Sequence, residues 1–186
     1  MRRRTACCTA AGSTCGTRYE LLEKWVGRHL GKAVRLVEVE GDEQGSAPFF
    51  AQPVGYDGRA FFILRDGLCD TEKLLHEACH FLVSPKERRA MVNYGLGPGP
   101  FRPVDDRTSD NEEVAASLLQ RQLAPYFALP ESALQAPDYN CANHRHLDWA
   151  ACEAQAQAAF EAIKPRLEGI EPQANWGAAP AKKKRR

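Results

Sequence analysis

The sequence predicts an α+β fold, a single compact domain in which a small mixed sheet packs against helices. Three observations predict it. The chain has 186 residues, 44% hydrophobic and 26% charged, which suits one domain with enough material to bury a real core. Two short stretches read as strands, residues 33–39, where apolar residues alternate with charged ones, and residues 59–64. Several longer stretches repeat apolar residues at helical spacing.

Taken in order, residues 19–30 place Leu21, Leu22, Trp25 and Val26 on one side of a first amphipathic helix, and Gly31 stands where the helix should stop. The first strand, 33–39, sets Val34, Leu36, Val37 and Val39 among Arg35 and Glu38, and Gly41-Asp42 ends it. Pro48, Phe49 and Phe50 form a short edge strand or a loop packed against the domain. A second strand at 59–64 leads into an uninterrupted helical stretch at 74–83, with Asp70 or Thr71 as its cap and Glu72 at the positive end of its dipole. Ser84-Pro85 then starts another helix, expected to run to about residue 93. Residues 95–110, rich in Gly, Pro and Asp, make a long loop of the kind that borders a site. Asp110 or Asn111 caps a further helix reaching about residue 127, and a last helix covers about 147–163.

Charge and cysteine usage narrow the function classes. With 25 basic and 24 acidic side chains the net charge is +1, so no overall field favours nucleic acid. Seven cysteines, an odd set without paired C-x-x-C spacing, read as reduced thiols of a cytoplasmic protein. No apolar run is long enough for a membrane span, and the Arg-rich start lacks the apolar core of a secretory signal. We expect residues 1–17 to be a flexible leader, 18–168 the folded domain and 169–186 a flexible tail closing in the basic run 182–186.

The most informative pattern is His76-Glu77-Ala78-Cys79-His80, an H-E-x-x-H sequence inside the 74–83 helix. At 3.6 residues per turn, imidazoles at i and i+4 lie one above the other and can chelate one divalent metal. A third, acidic ligand is expected from the helix that begins near Asp110. Glu112 is the first candidate because its place at the helix start can turn it toward the H-E-x-x-H helix. Glu113 is the alternative, since successive helix residues point about 100° apart and only one can face the site. His144 and His146 with Asp148 form a separate candidate group. Two histidines and a carboxylate with open positions suit a zinc peptidase, in which Glu77 is the general base, and equally a non-haem iron oxygenase.

The run Leu75-His76-Glu77-Ala78-Cys79-His80-Phe81, then Arg88-Arg89, Val92-Asn93-Tyr94-Gly95 and Glu112-Glu113-Val114, resembles the bacterial elongation factor P hydroxylases. That family shows L-H-E-x-x-H-W, R-R, V-D-F-G and E-D-V in the same order and spacing. The segment Gly41-Asp42-Glu43 with Ala47-Pro48-Phe49-Phe50, and then Ala60-Phe61-Phe62-Ile63, is similar to the family's stretch before its motif helix. The likeness covers roughly 19–163 and is densest in the centre. It implies a non-haem, iron-dependent enzyme on a compact α+β fold that uses molecular oxygen to hydroxylate the modified lysine of elongation factor P, its protein partner. By the same resemblance His76, His80 and Glu112 hold the metal and Glu77 acts beside it. Arg88, Arg89 and Tyr94 are the expected substrate-binding residues.

The chain departs from that pattern at three places. Leu96-Gly97-Pro98-Gly99-Pro100 replaces an aromatic stretch, Phe81 replaces Trp, and Ala115-Ala116-Ser117-Leu118 replaces E-V-K-P. These departures point to a divergent member with an altered substrate-facing wall. Two other functions compete with a hydroxylase: a zinc metallopeptidase, and a metal-stabilised binding protein that has lost turnover.

Overall fold

The computed structural model describes residues 14–38, 58–65, 70–96, 103–139, 141 and 143–173. Among these, four α-helices and a two-stranded parallel sheet form a small, mostly helical α+β domain. The elements are α1 (Thr14–Leu30), β1 (Ala33–Glu38), β2 (Ala60–Arg65), α2 (Asp70–Val83), α3 (Asp106–Leu123) and α4 (Trp149–Ile163). Helix α2 lies between the other layers, against α1 and β2 on one side and α3 on the other, while α4 covers α3.

Helix α1 begins at Thr14, earlier than its apolar pattern predicts and inside the stretch expected to be a flexible leader. It ends at Gly31, whose φ of 65° costs little in a residue without Cβ. Leu22, Trp25 and Val26 are buried as predicted, but Leu21 is 41% exposed. The Trp25 indole donates to the Arg166 carbonyl at 2.9 Å and meets the Phe127 ring edge-on at 5.3 Å, joining the first helix to the far end of the chain.

Strands β1 and β2 pair in parallel, in register from Ala33 with Ala60 to Glu38 with Arg65. Phe61 and Ile63 point into the core at 2% and 1% exposure, and Val34, opposite Phe61, extends that face. The mixed sheet expected from the sequence is a parallel pair among the described residues. The predicted Pro48–Phe50 strand and the basic run at 182–186 lie outside those residues.

Helix α2 buries Leu74, Leu75, Ala78, Cys79 and Val83. Extended Pro85 follows Ser84, and the helix expected over 84–93 is two short 3-10 turns, Lys86–Arg88 and Val92–Gly95. The turn at 92–95 departs from helical geometry: Asn93 and Tyr94 have φ of 46° and 52°, and Gly95 follows at 75°. Two adjacent non-glycine residues in the left-handed region cost roughly 1–3 kcal/mol each and persist only where surrounding contacts hold them. Here Arg88 Nη1 donates to the Tyr94 carbonyl at 2.8 Å, and Leu96 N donates to the Asn93 carbonyl at 2.8 Å.

Helix α3 starts a turn earlier than its acidic pattern suggests. Asp105 is the cap, its Oδ1 accepting from Thr108 N at 2.7 Å. Asp110 and Asn111, the expected caps, instead bind the segment that enters α4. Asp110 Oδ2 accepts from Asn143 N at 3.0 Å, and Asn111 Oδ1 accepts from Asp148 N at 2.7 Å. Helix α4 is capped by Asp148 and buries Cys152, Ala156 and Ile163, whereas Trp149 is 42% exposed. Among the described residues, no helix is long and apolar enough to cross a membrane.

Candidate metal centre

The packing of α3 against α2 decides which carboxylate meets the histidines. Glu112 and Glu113 lie beyond the first turn, where side-chain direction follows the packing of α3 against α2 rather than attraction to the helix dipole. Glu113 faces α2. Its Oε1 lies 3.1 Å from His76 Nε2, its Oε2 lies 3.2 Å from His80 Nε2, and the two Nε2 atoms are 3.0 Å apart. The imidazole planes stand at 89°, so their nitrogens converge on one point from different directions. Donors about 2.0–2.2 Å from a shared tetrahedral ion would be separated by roughly 3.3–3.6 Å. The observed spacing therefore fits a divalent cation after a small outward adjustment.

Glu112 has a different task, which corrects the ligand assignment made from the sequence. It is 6% exposed, pairs with the Arg88 guanidinium and accepts from Ser84 Oγ at 3.4 Å. About 100° of rotation separates it from Glu113, and both carboxylates cannot face the histidines. Arg88, expected at the substrate, is 8% exposed and engaged with Glu112 and the Tyr94 carbonyl. Arg89 donates to the Ser84 carbonyl at 2.9 Å and the Leu82 carbonyl at 3.2 Å. It thereby closes the carbonyl end of α2, with its guanidinium 4.9 Å from the Phe81 ring centre.

Tyr94, also expected at the substrate, is 4% exposed and stacks on His80 at 5.6 Å between ring centres. Its hydroxyl reaches the Glu77 carbonyl at 3.1 Å and Glu77 Oε2 at 3.3 Å. The left-handed turn at Asn93–Tyr94 thus places an aromatic ring behind one histidine and a hydroxyl on the motif glutamate. Glu77 itself is buried. Burial and the Glu113 charge raise its pKa, against the lowering influence of His80, His76 and the Tyr94 hydrogen bond.

Charge at the centre is shared between His76 and Glu113. Burial opposes a charged His76, but its hydrogen bond to Glu113 and the charges of Glu113, Glu77 and Glu72 raise its pKa from 6.5 to about 9. Burial likewise disfavours the Glu113 carboxylate, yet His80 and His76 hold it well below its ordinary range. These influences favour a proton on His76 beside an ionised Glu113 in the metal-free protein. His76 and Glu113 keep 19% and 18% of their side chains exposed, against 4% for His80, so the cluster opens on the His76–Glu113 side.

Gln120 escaped the sequence reading. It follows Glu113 by seven residues, two helical turns, so both share one face of α3. Its Oε1 lies 3.3 Å from His76 Nδ1. That seven-residue spacing was the available signal, but a polar residue two turns from an acid is too common to single out. His144 pairs with Asp138 at 3.1 Å, His146 Nε2 lies 3.1 Å from Asn143 Nδ2, and Asp148 caps α4, so this second candidate group serves the α3–α4 junction. Of the loop expected over the site at 95–110, residues 97–102 lie outside the described residues, and residues 106–110 are the first turns of α3 instead. Comparison of the chain with protein-family models, curated proteins and solved structures finds no match, so the reading of this centre rests on its own residues.

Proposed function

We propose that this protein is a non-haem, iron-dependent hydroxylase acting on a side chain of a protein substrate, with His76, His80 and Glu113 as the metal ligands. The observation that carries the reading is convergence. Four separated motif segments, 75–81, 88–89, 92–95 and 112–114, meet around one cluster, where Arg88 clasps Glu112 and the Tyr94 carbonyl while Tyr94 backs His80 and binds Glu77. These are the segments whose order and spacing resemble the elongation factor P hydroxylases, so the modified lysine of that factor is the substrate to test first. Two histidines and one carboxylate with remaining positions open are the ligand set of non-haem iron oxygenases.

Ferrous iron held there would supply activation of molecular oxygen, with two electrons drawn from an external reductant. The chain's own residues would do the rest. His80 is kept away from solvent against Tyr94, and the more open His76–Glu113 side admits the substrate. Glu77, with its raised pKa and the Tyr94 hydroxyl at Oε2, would hold or release a proton beside the centre.

The test incubates the purified full chain with iron(II), reductant, oxygen and modified elongation factor P, followed by intact-mass analysis. Gain of one oxygen mass, lost in His76→Ala, is the expected result. No gain with iron would refute the hydroxylase reading. A second reading, zinc metallopeptidase, is favoured by the same Glu77: a buried carboxyl with a raised pKa next to two histidines is also suited to a general base. Glu77→Gln separates the two, since it should abolish peptide cleavage outright while a hydroxylase keeps metal and part of its turnover.

A further inference from the structure

Gln120 is 4% exposed, and both ends of its amide are engaged. Its Nε2 donates to the Glu72 carbonyl at 2.9 Å and lies 3.2 Å from Glu72 Oε1. Those two acceptors on α2 determine which way the amide points, so Oε1 is the atom that faces His76 Nδ1 at 3.3 Å. A carbonyl oxygen can only accept. His76 Nδ1 must therefore carry a proton in this contact, which leaves Nε2 of the neutral ring with its lone pair directed at the cluster.

We infer that Gln120 is a positioning residue for the metal centre: with Glu72 setting its direction, it holds His76 in the Nδ1–H tautomer that presents Nε2 to a divalent cation. The inference rests on the reading of His76, His80 and Glu113 as a metal site. His80 is held differently. Its Nδ1 is buried with no hydrogen-bond partner among the described residues, and its ring stacks on Tyr94. Loss of the Gln120 contact should therefore act on one histidine and spare the other. Outer partners of this kind typically contribute 10–100-fold in metal affinity.

The test uses the full chain with zinc and cobalt(II) as probes. Gln120→Leu keeps the approximate volume and removes both polar ends. It should weaken zinc binding roughly 10–100-fold. It should also alter the visible absorption of the cobalt form and abolish the exchange-protected His76 Nδ1–H resonance of the zinc form. Because Gln120 also ties α3 to α2, a second variant separates positioning from packing. Gln120→Glu keeps an oxygen that accepts from His76 Nδ1 but loses the Nε2 donor to the Glu72 carbonyl and carboxylate, so it removes the tie to α2 and leaves the positioning contact. This variant should keep the protected resonance and bind zinc more tightly than Gln120→Leu. Wild-type binding with unchanged affinity and resonance in Gln120→Leu would overturn the inference while leaving the metal reading standing. So would a Gln120→Glu protein that binds zinc as weakly as Gln120→Leu although both variants melt like the wild type without metal. Failure of the wild type to bind either probe would overturn the metal reading and this inference together.

Discussion

Replacing Glu112 and Glu113 by alanine, one at a time, should damage two different properties. The Arg88 and Glu112 side chains are 10% and 8% exposed, so Glu112→Ala strands a buried guanidinium. Removing one partner of a buried pair costs about 3–5 kcal/mol, and the lower end applies here because Arg88 keeps its bond to the Tyr94 carbonyl. At about 3 °C per kcal/mol for a chain of this size, a cost of about 3 kcal/mol means that the metal-free protein should melt about 9 °C lower. The three proposed ligands are untouched, so metal affinity should fall only as far as the Tyr94 turn loosens. Glu113→Ala should do the reverse. It removes the carboxylate that lies 3.1 and 3.2 Å from the two histidines, so zinc or iron binding should be lost. The metal-free variant should melt closer to the wild type than Glu112→Ala does. Calorimetric melting of the metal-free variants, with competition against a chelator for affinity, reads both quantities. A Glu112→Ala protein that keeps its stability and loses metal, beside a Glu113→Ala protein that still binds it, would refute the assignment.

Three further outcomes follow from the same geometry. His76→Ala and His80→Ala should each abolish tight metal binding, whereas His144→Ala, with its ring 63% exposed against Asp138, should bind as the wild type does in the same chelator competition. In the metal-free protein, a His76 pKa raised from 6.5 to about 9 means that the folded state holds this proton more tightly. The resulting stability, on the order of 3 kcal/mol, should be complete below pH 6.5 and lost as pH rises through about 9. The lowered Glu113 pKa gives the matching acid side, with stability present above 4.5 and lost as pH falls; denaturant titrations across pH should show both limbs, and the alkaline loss should vanish when metal is bound. Gly58→Ala should destabilise by roughly 2–4 kcal/mol, because φ is +70° and an added Cβ would sit 2.7 Å from Ala90 Cα. Gly31→Ala, at φ +65° with nothing within 4 Å, should cost only about 1–2 kcal/mol in the same denaturant assay.

By itself the sequence determined the features that depend on neighbours along the chain. The i, i+4 spacing of His76 and His80 puts both imidazoles on one side of α2 whatever lies beyond it. The apolar pattern of Leu22, Trp25 and Val26 likewise marked a core face that the fold buries. Local reading failed where several signals of the same kind competed. Asp105, Asp106, Asp110 and Asn111 are all plausible caps, and only packing selects Asp105, which moves the following glutamates out of the first turn. Tertiary structure alone decided that Arg88, 24 residues before Glu112, would neutralise it, that Glu113 would therefore be the carboxylate facing the histidines, and that Gln120 would bridge His76 to Glu72. Each of these choices depends on the rotation of α3 about its axis against α2. That angle is set by the sum of contacts between the two helices, which no single stretch of sequence contains.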